Sequence, residues 1–263
     1  MSHTTVVLQS QRADAVKGWQ GRCLASVQSW AEQRGYAYRF EGDAFLKRLP
    51  AALCERFSEQ TVVLTDFARL LWLQEVLREG FQRAIWVDAD LLLFRDFEPP
   101  DDGDWLGREV WVQRDGSRLR RYRKVHNAWL QFGRASAFLP FYIERATVLL
   151  ERVKAPVVPQ FIGPKLLTAW HNIAPFGVEE RIGMGSPLVL RDLLAFARGE
   201  ECGNPGFQAL GLLAAGHAAT LCGLNLCASY EDRVEDGVRH SARDYDDIVD
   251  ALLKGCLAEA LEA

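Results

Sequence analysis

The sequence is nearly balanced in charge. Its 31 Lys and Arg stand against 35 Asp and Glu, a formal net charge of −4 with a pI near 5.8. That excludes a polyelectrolyte tail and a dedicated nucleic-acid binder, because phosphate-backbone affinity needs a clustered positive face. Cys-x-x-Cys pairs are missing too. The six cysteines (Cys23, Cys54, Cys202, Cys222, Cys227, Cys256) are scattered, which excludes a zinc knuckle or redox motif and reads as buried thiols in a reducing cytosol. Residues 1–9 lack a basic region followed by a long apolar stretch, so they read as a first strand and not as a signal peptide. Low-complexity linkers and internal repeats are also lacking, so one continuous domain over residues 1–263 is expected. Only residues 209–228 are free of Asp, Glu, Lys and Arg over a membrane-spanning length. Asn204 and Pro205 read there as a cap and first helical residue, Gly216 as the stop, and residues 218–227 as a buried strand, so no transmembrane segment is expected. What remains, 49% apolar, 11% aromatic and 25% charged residues, is enough to bury a substantial core.

Strand and helix patterns alternate from the start. Val6-Val7-Leu8 opens a strand, residues 21–34 a helix stopped by Gly35, residues 36–40 a short strand, and residues 50–57 a further helix. Residues 66–79 predict a helix through Phe67, Leu70, Leu71, Val76 and Leu77, ended by Gly80. Ala84-Ile85-Trp86-Val87 is wholly apolar, as a strand covered on both faces must be, and predicts a parallel sheet in an α/β domain with its site beyond the strand's carboxyl end. The second half predicts strands at 110–113 and 128–132 and helices at 137–153, 164–170, 187–198 and 246–253.

Val87-Asp88-Ala89-Asp90-Leu91 places two acids where that strand runs out. The spacing alone says little, since Asp102 and Asp104, and Asp244 and Asp246, repeat it. The flanks set the first pair apart, because no solvated turn needs apolar sequence on both sides. Two buried acids call for countercharge. Carboxylate oxygens suit Mg²⁺ or Mn²⁺, whose remaining positions go to phosphate oxygens and water. The other reading is a turn cap, or a pairing with Arg95.

The segment from Thr65-Asp66-Phe67-Ala68-Arg69 through Gly80 to Trp86-Val87-Asp88-Ala89-Asp90 resembles glycosyltransferases of the GT-A fold that carry the Asp-x-Asp signature. The resemblance is to the group including capsular-polysaccharide sugar transferases, fungal mannosyltransferases and clostridial glucosylating toxins. It implies a Rossmann-like α/β single domain with a mixed, mostly parallel central sheet flanked by helices, residues 1–100 holding the nucleotide sugar and 101–263 the acceptor side. It further implies that Asp90 binds Mn²⁺ or Mg²⁺, that Asp88 contacts the metal or ribose, and that Asp66 and Arg69 hold donor-sugar hydroxyls, with Ala89 between the acids at the donor. Without the family, Asp66 reads as a helix N-terminal acid with Arg69 one turn on. By location, Gln9, Ser10 and Arg12 fall where the family cradles nucleotide, and Asn127 where it has polar residues near the donor. A late histidine often completes the metal shell in such enzymes, which makes His240 the candidate third ligand. Gly163-Pro164 resembles an acceptor-side segment, though a proline opening a helix explains it equally.

The activity implied is transfer of a hexose from a nucleoside-diphosphate sugar, a UDP-sugar first, to a saccharide, lipid-linked or protein hydroxyl with retention. Two rivals remain: a GT-A-like module that binds nucleotide sugar without transferring it, and a phosphohydrolase with Asp88 as nucleophile. Arg114, Arg118, Arg120, Arg121, Arg123 and Lys124 against Asp115 read as a solvated hairpin tip around Asp115-Gly116-Ser117, with a cytoplasmic location and peripheral attachment to an anionic membrane as the further option.

Overall fold

The most apolar strands of the sequence lie at the centre of the molecule. The computed structural model describes residues 4–12, 14, 16, 18–200 and 207–255. In chain order it has β1 (Thr5–Ser10), α1 (Gly18–Gln33), β2 (Ala37–Glu41), α2 (Ala51–Arg56), α3 (Thr61–Glu79), β3 (Arg83–Val87), β4 (Leu91–Leu93), β5 (Trp105–Asp115) and β6 (Arg118–Gly133). Then come α4 (Phe138–Arg152), α5 (Pro164–Trp170), β7 (Gly177–Glu179), β8 (Ile182–Met184), α6 (Pro187–Ala197), α7 (Gln208–Ala214), β9 (Gly223–Asn225) and α8 (Ala242–Leu253). The main sheet has the order β2-β1-β3-β6-β5-β7, parallel at β2/β1, β1/β3 and β5/β7 and antiparallel around β6. It is a mixed α/β architecture with a mostly parallel central sheet flanked by helices.

Period-2 alternation sorts β1 and β3 onto two faces. Val6, Leu8, Ala84 and Trp86 pack with residues of α3 and α4, whereas Val7, Ile85 and Val87 pack with Val27, Trp30 and Ala31 of α1. Both faces are covered, which is why the strand reads apolar throughout. A second, three-stranded sheet, β4-β9-β8, joins residues just after β3 to the last third of the chain. Beside it a third apolar cluster unites Val110 and Val112 of β5 with α6, α7 and α8.

Three expectations are corrected. The helix placed at 66–79 starts at Thr61, so Asp66 sits inside it and not at its amino end; burial of Val63 holds this β-branched residue helical against its strand preference. Strands 110–113 and 128–132 are parts of one long hairpin, with Gly116 at φ +62° in its two-residue loop. Of residues 218–227 only Gly223–Asn225 forms a strand. Asn204 and Pro205 lie outside the described residues, as do Cys202 and Cys256. Cys23, Cys54, Cys222 and Cys227 are free thiols. Among the described residues no helix is long and apolar enough to cross a membrane.

Candidate functional site

β3 ends at Val87, and Asp88 carries the chain out of the sheet, its N–H bonded to the Ala128 carbonyl (2.9 Å). Its carboxylate Oδ1 accepts from Arg69 Nη1 (2.8 Å) and from the Trp86 indole N–H (2.6 Å). Arg69 also lies over the Trp86 ring, 4.9 Å from its centroid. The same guanidinium pairs with Asp66 Oδ1 at 2.9 Å and donates to the Asn127 carbonyl at 2.8 Å. The Asn127 amide donates to Asp66 Oδ1 (2.7 Å). So α3, β3 and β6 each contribute to one buried network around a single guanidinium. Removing one partner from such a network leaves an uncompensated buried charge.

Asp66 Oδ2 is buried and has no hydrogen-bond partner. Burial pushes the Asp66 carboxyl up to about 6, with Arg69 opposing and Asp88 adding to the rise. A buried acceptor left unmade is costly to the fold, and a ligand hydroxyl would meet it. Gly163 packs directly against this carboxylate: a Cβ there would come within 2.5 Å of Asp66 Oδ2 and 2.7 Å of Asn127 Nδ2.

Asp90 is held from far along the chain. Its Oδ1 accepts from Asn225 Nδ2 and its Oδ2 from the Ala228 N–H, each at 2.8 Å, and its carbonyl accepts from the Leu226 N–H. Cys227, at φ +55°, stands in the left-handed region and turns its own N–H onto Asn225 Oδ1 (2.8 Å), which aims the following N–H at Asp90. Asp90 is raised above the usual carboxylate range, first by burial and next by the Asp88 charge. Among the described residues its hydrogen-bond donors are neutral and no ion pair reaches it. Two like charges with only one nearby guanidinium leave room for a cation. Asp88 Oδ2 has no hydrogen bond among the described residues and its side chain is 24% exposed. Asp88 Oδ2 and the Asp90 carboxylate are the groups here that could hold a hard divalent ion.

Of the residues singled out from sequence, Asp66, Arg69, Asp88 and Asn127 share one network, with Ala89 and Asp90 directly following. Gln9 is fully buried, donating to the Asp88 carbonyl (3.2 Å) and accepting from the Tyr38 hydroxyl (3.0 Å). Ser10 ends β1, paired with Glu41 of β2. Arg12 is exposed and bound to Asp14. The structure does not bring His240 to the acids: it is buried, with Nε2 2.9 Å from the Pro187 carbonyl and its ring edge-on to Tyr245. Among the described residues no three His, Cys, Asp or Glu side chains gather to hold a metal, so the expected third ligand is not supplied by this histidine. Asn225 was missed. Its signal is a polar residue inside the apolar run Leu224-Asn225-Leu226.

No family model matches the chain, and no curated protein matches its sequence. Solved structures do resemble it. A glycosyltransferase involved in glycosylation of the major capsid of PBCV-1 aligns over 94% of this chain and 98% of its own at 11% identity, TM-score 0.48. Mouse xyloside xylosyltransferase 1 in its apo form aligns over 87% and 99% at 10% identity, TM-score 0.46. A putative glucose-1-phosphate thymidylyltransferase from Bacillus anthracis aligns over 77% and 97% at 8% identity, TM-score 0.35. TM-scores under 0.5 make these loose likenesses, too loose to fix a family or an activity.

Proposed function

We propose that the chain is a metal-dependent glycosyltransferase of the GT-A type, moving a hexose from a nucleoside-diphosphate sugar, a UDP-sugar first, to a hydroxyl acceptor with retention. In this reading residues 1–100 hold the donor and residues 101–263 form the acceptor side. The observation that carries it is the pairing of two neighbouring acids, Asp88 and Asp90, with a buried, unpartnered acceptor atom, Asp66 Oδ2, joined to Asp88 through Arg69. Phosphate-bound metal and sugar hydroxyl are thereby addressed from one rigid network. Asp88 Oδ2 and Asp90 would hold Mn²⁺ or Mg²⁺, which when bound offsets charge developing on the diphosphate leaving group. Arg69, fixed by Asp66, Asp88 and Trp86, keeps the two halves of the site in register. Asp66 Oδ2 accepts from a donor-sugar hydroxyl and orients the anomeric carbon, which is positioning chemistry. Gln9 fixes the backbone at Asp88 and so the direction of its carboxylate.

The test is a panel of nucleotide sugars assayed for hydrolysis with and without Mn²⁺. Slow, Mn²⁺-dependent release of nucleoside diphosphate from at least one donor is expected. Cation-assisted nucleotide binding with no release across the panel would favour the binding module instead. Gly163→Ala offers a second check. The added methyl displaces Asp66 or Asn127, and donor hydrolysis is expected to fall by roughly tenfold or more, while circular dichroism continues to report a folded chain.

A further inference from the structure

β6 pairs with β3 as far as Trp129 opposite Val87, and the Ala128 carbonyl then takes the Asp88 N–H. Because the two strands are antiparallel, residues of β6 before Ala128 extend past the carboxyl end of β3, carrying β5 with them in the register Glu109 opposite Lys124 and Trp111 opposite Tyr122. The hairpin overhangs the carboxyl end of β3. Its side chains alternate: Val110 and Val112 are buried in the cluster of α6, α7 and α8, so Glu109 and Trp111 face the other way. On that side the Trp111 ring lies 5.5 Å from the ring of Tyr230, two residues beyond the Ala228 N–H that holds Asp90. The buried Cys227 thiol is raised first by burial and then by the charges of Asp90, Glu109 and Asp88.

Glu109 is half-buried, and among the described residues no group donates a hydrogen bond to its carboxylate. Burial pushes it up to about 6 although Lys124 pulls the other way. A half-buried carboxylate with no fixed donor is free to accept from a ligand hydroxyl. Beside it stand two half-buried aromatic rings, whose electron-rich faces suit the C–H face of a sugar while a carboxylate suits the hydroxyls at its edge. An anionic acceptor would meet the Glu109 carboxylate.

We propose that Glu109, Trp111 and Tyr230 form the acceptor subsite, that the acceptor is a neutral saccharide stacked on the two rings, and that one of its hydroxyls other than the attacking one donates to the Glu109 carboxylate. This rests on the reading of the chain as a glycosyltransferase. Methyl glycosides of glucose, galactose, mannose and xylose, titrated against the full chain by saturation-transfer NMR, test it. Wild type is expected to bind at least one. Glu109→Gln is expected to weaken that binding by about tenfold and Trp111→Ala to abolish it, whereas Arg118→Ser at the hairpin tip leaves it unchanged. With donor supplied, the Glu109→Gln defect falls on the KM of the bound glycoside. Should Trp111→Ala fail to fold, Tyr230→Ala takes its place. Failure of wild type to bind any of the four, or undiminished binding in folded Glu109→Gln and Trp111→Ala, overturns the proposal. Glycoside binding by a wild type that hydrolyses no nucleotide sugar overturns the transferase reading and leaves a saccharide site standing.

Discussion

Asp90→Asn is expected to reduce Mn²⁺-dependent donor turnover by two to three orders of magnitude, roughly the loss seen when one charge-stabilising group is taken from an active site. Both oxygens of Asp90 accept from neutral donors, Asn225 Nδ2 and the Ala228 N–H. The substitution leaves an amide nitrogen facing one of them, so a hydrogen bond is lost as well as a charge. That bond is worth about 1–3 kcal/mol when its partner is left unsatisfied, and relief of repulsion from Asp88 opposes the loss. The fold therefore survives with a melting temperature within a few degrees of wild type. The decisive measurement is thermal unfolding with Mn²⁺ and UDP together: the ligands stabilise wild type by linkage and leave Asp90→Asn unmoved. Equal ligand-induced shifts in both proteins would remove Asp90 from the cation site.

Gly107→Ala should produce the greatest loss of stability of any Gly→Ala change among the described residues. A Cβ at residue 107 would lie 2.1 Å from His126 Cε1 and 2.3 Å from Nε2, at the register shift between Leu106 and Gly107 where β5 bulges against β6. The ring cannot step aside. It is fully buried, its Nδ1 accepts from the Ala128 N–H (3.0 Å), and its Nε2 lies 3.4 Å from the Ile182 carbonyl. Burial lowers its pKa to about 3, so it stays neutral and keeps that hydrogen-bonding pattern across the working pH range. Overpacking against an immobile ring costs about 3 kcal/mol or more. Because Asn127 follows directly and holds Asp66, the same change disturbs donor turnover. Soluble yield and thermal melting check the first effect. A melt matching wild type would show that the bulge repacks freely.

The cluster of Asp66, Arg69, Asp88 and Asp90 was legible because its cues are local. Asp88 and Asp90 stand between two apolar runs, and Asp66 and Arg69 lie one helical turn apart on a segment that Gly80 closes. The β3 strand and its neighbours followed from composition, since a strand covered on both faces has little choice of residues. What stayed hidden depends on distant pairing. Nothing near Asp90 points to Asn225 or to the Ala228 N–H, and the left-handed turn at Cys227 that aims it has no glycine to betray it. Glu109 was passed over because a lone acid in a strand resembles any solvated position until the overhang of β6 past β3 is known. His240 looked available from its polar neighbours, but Pro187 and Tyr245 enclose it through contacts about fifty residues and five residues away.

The clamp on Asp90 has a consequence for biosynthesis. The N–H that fixes its second oxygen belongs to a residue 138 positions later. A ribosome that has released the first hundred residues has made both acids of the pair, yet the segment that orients one of them is not yet synthesised. Domains fold as synthesis proceeds, and here the growing polypeptide can fix both oxygens of Asp90 only once Asn225 and Ala228 have left the ribosome.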